Sequence, residues 1–115
     1  MKVIIAGGRD FNNYELLYKT CNKLLSGIEV KEIVSGGAPN GADSLGEKFA
    51  KEKGFHIKVF KANWKYGRAA GPIRNKEMAQ YADYLIAFWD GKSKGTKSMI
   101  NLAKSFELKV SVCKY

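Results

Sequence analysis

The sequence predicts an α/β protein built on one five-stranded parallel sheet with helices packed on both of its faces. Two observations predict it. Short β-branched and apolar runs alternate along the whole chain with longer segments of helical periodicity. Several of those runs also end in glycine-bearing loops that lead straight into the next helix, as strand–loop–helix units with crossover connections do.

The elements follow in order. Val3 to Ala6 reads as the first strand and runs into Gly7-Gly8. Tyr14 to Leu25 reads as a helix, with Leu16, Leu17, Cys21, Leu24 and Leu25 at helical spacing, Asn12 or Asn13 as its N-cap and Gly27 as its stop. Glu32 to Val34 is the second strand and leads into Ser35-Gly36-Gly37. A helix from Gly41 to Lys53 places Ala42, Leu45, Phe49 and Ala50 on one face and ends at Gly54. His56 to Phe60 is the third strand, and Lys61 to Gly71 reads as an irregular segment. Pro72 suits a first helical turn, so a helix is expected from there to Tyr81. Tyr84 to Phe88, the most apolar run, is expected as a central strand. A helix from Gly95 to Phe106 and a fifth strand from Leu108 to Val112 complete the chain. Right-handed crossovers favour the strand order 3-2-1-4-5 and hence a Rossmann-like three-layer sandwich.

The 115 residues make one domain, 1–115, with 45% apolar residues for its core. Cys21 and Cys113 lie far apart without metal-ligand spacing and read as reduced thiols in or near the core. The opening apolar run is too short for a signal peptide or a membrane span, so a cytoplasmic protein without a membrane role is expected. The 20 basic and 11 acidic residues give a net charge of +9, which favours anionic partners. Lysines such as Lys48, Lys51, Lys53 and Lys104 fall on helix faces, however, so charge alone does not separate a nucleotide from a nucleic acid.

In a sheet of this order, ligands bind beyond the carboxyl ends of the strands, where the order reverses. Three loops meet there. Gly7-Gly8-Arg9-Asp10-Phe11 offers close backbone approach and a guanidinium that can fork onto a phosphate. Ser35 to Asp43, with Gly36 and Gly37, opens a helix whose N–H groups and dipole favour an anion. Asp43, in that helix's first turn, either complements the dipole or serves the ligand. Trp89 to Thr96 presents a second helix start, with Ser93, Gly95 and Thr96 toward phosphate oxygens, Lys92 and Lys94 as added charge, and Asp90 either as a cap or as an acceptor for ribose or base. Between these loops, Trp64 or Tyr66 can stack on a base while Arg68 and Arg74, beside Asn75, pair with phosphates. His56, the only histidine, starts the third strand at the wrong end of the sheet, which sets aside Ser-His-Asp and histidine-based metal chemistry. No cofactor or metal is expected.

Gly7 to Phe11, Ser35 to Ala38 with Gly41-Ala42-Asp43, and Tyr66 to Asn75 together resemble the YspA-like branch of the SLOG superfamily, over essentially the whole chain. The resemblance implies a Rossmann-like relative of the LONELY GUY phosphoribohydrolases and of the DNA-processing protein A family. It further implies binding of a nucleotide-derived signal, such as ADP-ribose or a cyclic ADP-ribose-like molecule, by a sensor subunit or a sequestering protein. Homodimers or tetramers are implied as well.

The phosphoribohydrolases carry a catalytic glutamate after the fourth strand, where this sequence has Met99. Cleavage of an N-glycosidic bond needs a carboxylate near the anomeric carbon. Asp43 or Glu47 would have to supply it, with Asp10 and Asp90 as the remaining candidates. The DNA-processing relatives share a run like Ser35 to Asp43, to which Asn40 adds a residue, and one like Pro72 to Asn75. Single-stranded DNA is therefore the other alternative ligand. Holding a nucleotide, rather than cleaving it, is the leading expectation.

Overall fold

The computed structural model describes residues 1–115. Its strands are β1 (Lys2–Gly7), β2 (Glu32–Ser35), β3 (His56–Val59), β4 (Tyr84–Trp89) and β5 (Lys109–Lys114). The helices are α1 (Tyr14–Leu24), α2 (Gly41–Lys53), α3 (Ala70–Tyr81) and α4 (Lys94–Ser105), and a 3-10 helix (Trp64–Ala69) precedes α3. All strand pairs are parallel, in the order β3-β2-β1-β4-β5. This is the expected α/β, Rossmann-like arrangement, with β1 in the middle and β4 interior beside it.

Alternation along the inner strands divides the core into two layers. On one face Val3, Ile5, Ile33, Tyr84, Ile86 and Phe88 pack with Leu17 and Cys21 of α1 and Phe49 and Ala50 of α2. On the other, Ile4, Ala6, Val34, Leu85 and Ala87 pack with Met78 and Ala79 of α3 and Met99, Ile100 and Ala103 of α4. Burial on both faces is why these strands read as continuous apolar runs instead of alternating ones. Burial also pushes the Cys21 thiol up to about 12, so it stays protonated within its layer. No helix is long and apolar enough to cross a membrane.

Local chemistry sets the ends. Asn13 Oδ1 accepts from the Leu16 N–H at 3.0 Å and caps α1. Gly54, at φ +75°, closes α2 as Phe55 N–H reaches the Ala50 carbonyl. The close of α4 has the same form, with Glu107 at φ +62° and the Leu108 N–H on the Ala103 carbonyl. That turn ends α4 at Ser105 and moves β5 to Lys109–Lys114, later than the expected Leu108 to Val112. The segment expected to be irregular is partly helical, and α3 starts two residues before Pro72. Asn63 Oδ1 accepts from Lys65 N–H to start the 3-10 helix, and Gly67, at φ +57° and ψ −129°, kinks it. Buried Ala70 then begins α3.

Candidate functional site

The carboxyl ends of β1, β2 and β4 open into one cleft of about 590 Å³, within the range of roughly 300–1,000 Å³ typical of small-ligand pockets. It lies where the sheet order reverses between β1 and β4. Helices α2 and α4 begin beside it, and α3 forms a further wall through Arg74, Asn75 and Met78.

The glycines of the first two loops serve packing more than donation. A Cβ on Gly7 would strike the Phe88 carbonyl oxygen, and one on Gly41, which adopts φ +77°, would lie 2.5 Å from Gly8 O and from Arg9 Cα. These contacts let α2 start directly against the β1 loop, where Ala42 N–H donates to Gly8 O at 3.2 Å. The Gly8 N–H is itself engaged with Phe88 O at 3.2 Å, and the Gly37 N–H with Ser35 Oγ at 3.1 Å. Gly37 and Ser35 do not line the cleft. The N–H groups of Gly36, Lys94 and Gly95 have no protein acceptor. Around Gly95 the space a Cβ would occupy is open. Backbone donors without a protein acceptor are therefore available at the start of α4 and at Gly36, and also at Arg9, Asp10 and Asn40 of the cleft lining.

Asp90 organises the α4 end. Its Oδ1 accepts from the N–H groups of Lys92 and Ser93, each at 2.8 Å, and these bonds hold its carboxyl below the usual range. Ser93 Oγ caps Thr96 N–H at 3.4 Å and lies 3.2 Å from Thr96 Oγ1, so both hydroxyls sit at the helix start. Lys92 and Lys94 do not line the cleft.

The two arginines of the cleft differ in state. Arg9 is exposed and makes neither an ion pair nor a hydrogen bond. Arg74 donates from Nη1 to the Gly36 carbonyl at 2.6 Å and from Nε to Asn75 Oδ1 at 2.9 Å. Asp43 lies half-buried beside it, its Oδ2 accepting from Ala38 N–H at 3.2 Å while Oδ1 has no protein partner. Burial raises the Asp43 carboxyl above its ordinary range, against the lowering effects of the Ala38 N–H, Arg74 and Arg9, while the Glu47 carboxylate adds to the rise. Asp43 thus faces the cleft from the first turn of α2.

Glu47 is withdrawn. Its Oε2 accepts from the buried Ser35 hydroxyl at 2.7 Å, and it does not line the cleft. Met99, 2% exposed, lies in the lining with Met78, so an apolar thioether stands on the α4 wall. Trp64 stands 66% exposed at the rim and belongs to the lining, whereas Tyr66 and Arg68 are exposed on the same 3-10 helix and do not. His56 is exposed at the amino edge of β3. No group of three or more His, Cys, Asp or Glu side chains is placed to hold a metal ion.

Sequence reasoning missed Tyr115. Its hydroxyl donates to Asp10 Oδ1 at 2.7 Å, its ring packs on Phe11, and its N–H joins the Trp89 carbonyl. Burial and the Asp10 carboxylate raise the phenol above its usual range and keep it a donor. Asp10 is 105 positions away in the chain, so no local pattern signals the contact.

Residues 1–67 match the model of a family described as YspA, cpYpsA-related SLOG. The matched span holds the first two glycine loops and Trp64. The Tyr66 to Asn75 motif lies almost wholly beyond it, so the match is shorter than the whole-chain resemblance expected from the motifs. No curated protein and no solved structure matches the chain.

Proposed function

The chain belongs to the YspA, cpYpsA-related SLOG family, and from that membership and the cleft we propose that it binds a nucleotide-derived small ligand and holds it without turnover. Membership is consistent with a nucleotide-related role. The observation that carries the reading is the convergence on one cleft of the unpaired Arg9, the free N–H groups of Gly36 and Gly95, and the exposed Trp64. A phosphate would sit between Arg9 and the start of α4, where hydrogen bonds and the helix dipole act together. The Ser93 and Thr96 hydroxyls add donors there. Trp64 offers a face for the base, and Asp43 Oδ1 an acceptor for a ribose hydroxyl. In this reading Arg74 shapes the pocket by holding Gly36. A bound signal would act by being sequestered or by being read through a partner chain.

Mass spectrometry of small molecules released from the purified, denatured protein tests the reading, followed by calorimetric titration of whatever is found. A nucleotide, bound in the parent and at least about tenfold more weakly in Arg9→Ala, is the expected result. Equal binding by the variant would remove Arg9 from the site.

One observation favours a second reading, an N-glycosidic hydrolase. Asp43 is a cleft carboxyl raised toward protonation, the state of a general acid. Against it, Met99 occupies the α4 wall and Glu47 is tied to Ser35. Long incubation with nucleoside monophosphates and ADP-ribose decides the matter. Release of free base, lost in Asp43→Asn, would establish hydrolysis; full recovery of bound substrate would exclude it.

A further inference from the structure

The whole chain carries a net charge of +9, yet the cleft does not share it. Its charged lining consists of Arg9, Arg74, Asp10, Asp43 and Asp90, two arginines against three aspartates, with no lysine among them. Arg74 already spends Nη1 and Nε on Gly36 and Asn75. Those acceptors are neutral, so Arg74 keeps its charge but is fixed beside Gly36, and Arg9 is the one cleft cation free of hydrogen bonds. The starts of α2 and α4 each contribute the equivalent of about half a positive charge, which brings the site to near neutrality and no further. A phosphate at the α4 start has Arg9 and free N–H groups as partners. Any further phosphate finds only the fixed Arg74 and three aspartate carboxylates.

From this balance we infer that the cleft selects nucleotides of low phosphate charge, bearing a single phosphate or a phosphodiester, and rejects nucleoside triphosphates. The inference rests on the nucleotide-binding reading above and adds to it the charge of the ligand. The aspartates have a second consequence in the same direction, since carboxylates accept from sugar hydroxyls and base amines and repel oxyanions. The surplus of basic residues lies outside the cleft, where it can raise the local concentration of anions without fixing which of them is held.

The test is calorimetry of the full chain with ribonucleoside mono-, di- and triphosphates in metal-free buffer at near-physiological salt. Affinity is expected to fall about tenfold with each added phosphate. The same series is then run on the Asp10→Asn, Asp90→Asn double variant. Asparagine Oδ1 can still accept from the Tyr115 hydroxyl and from the N–H groups of Lys92 and Ser93, so the loops keep their hydrogen bonds while two negative charges go. The double variant is expected to regain about tenfold or more in triphosphate affinity, with a smaller change for the monophosphate. Monophosphate bound no more tightly than triphosphate by the parent would overturn the inference and leave the nucleotide reading standing. A gap between them that persists undiminished in the double variant would overturn it as well. Failure of every nucleotide to bind would remove the nucleotide reading itself, and charge selection with it.

Discussion

Arg74 Nη1 donates to the carbonyl oxygen of Gly36 at 2.6 Å, tying the second turn of α3 to the loop after β2. A Cβ at Gly36 would stand 2.9 Å from that same Nη1 and 2.9 Å from Asp43 Oδ2. The side chain and the missing side chain are thus parts of one arrangement. Gly36→Ala is expected to push the guanidinium off the carbonyl, and Arg74→Lys to lose its forked geometry. Each should cost about 1.5–3 kcal/mol, the worth of a charge-assisted hydrogen bond. Both changes break the same bond, so the double variant should cost well short of the sum. Urea unfolding of the four proteins measures this; additive costs would mean that the two residues do not act together.

Asp43 predicts a pH signature. Burial holds its carboxyl above the ordinary range, so the folded protein keeps this proton to higher pH than the unfolded chain does. The associated stability is fully present below the unfolded value, about pH 4, and is lost as pH rises through the folded one. Asparagine keeps an acceptor for the Ala38 N–H and carries no charge. Asp43→Asn should therefore gain stability relative to the parent between about pH 4 and neutrality, with a flat difference at lower pH. Urea midpoints of both proteins across that interval give the difference directly. A variant that loses ground as pH rises would mean that Arg74 and Arg9 outweigh burial.

What could be read in advance follows from the range over which each signal acts. Five strands and their order were legible because both faces of β1 and β4 are buried, leaving continuous apolar runs, and because crossover connections restrict the topology. The end of α2 was legible in Gly54; that of α4 was not, because Glu107 takes the left-handed position usually given to glycine. The cleft's loops were legible in their glycines, but the duties of the N–H groups were not. Whether Gly8 N–H faces a ligand or Phe88 O depends on the register of β1 against β4. Arg74 likewise reads as a phosphate ligand in sequence, and only the proximity of α3 to Gly36 gives it a backbone partner.

Trp64 separates binding from folding. It stands 66% exposed in a 3-10 helix that buries no residue, so Trp64→Ala should alter stability by less than about 0.5 kcal/mol. If a base lies on it, nucleotide affinity should drop by about 1–3 kcal/mol, the range found for base–aromatic stacking. Tyr66→Ala is the matched control, since Tyr66 is similarly exposed but outside the lining. Titration of the two variants with the same nucleotide distinguishes them. Equal losses would move the base away from the rim at Trp64.

Tyr115 reaches the β1 loop from the end of β5. Its hydroxyl occupies the space that a Cβ on Gly8 would need, and that Cβ would also lie 2.7 Å from Asp10 Oδ1. The ring packs at 4.7 Å on Phe11, which stacks at 4.9 Å on Phe88, so the contact continues into the core layer between the sheet and α1. Tyr115→Phe keeps the ring and removes only the bond to Asp10, at a cost of about 1 kcal/mol. Gly8→Ala in the parent must displace the hydroxyl, Asp10 or both, and should cost about 1–3 kcal/mol. In the Tyr115→Phe background part of that collision is already gone. The cost of Gly8→Ala should then shrink by about 1 kcal/mol, a coupling read from the four unfolding curves. Unchanged cost in both backgrounds would mean that Gly8 is small for the sake of Asp10 alone and that Tyr115 does not brace the loop carrying Arg9.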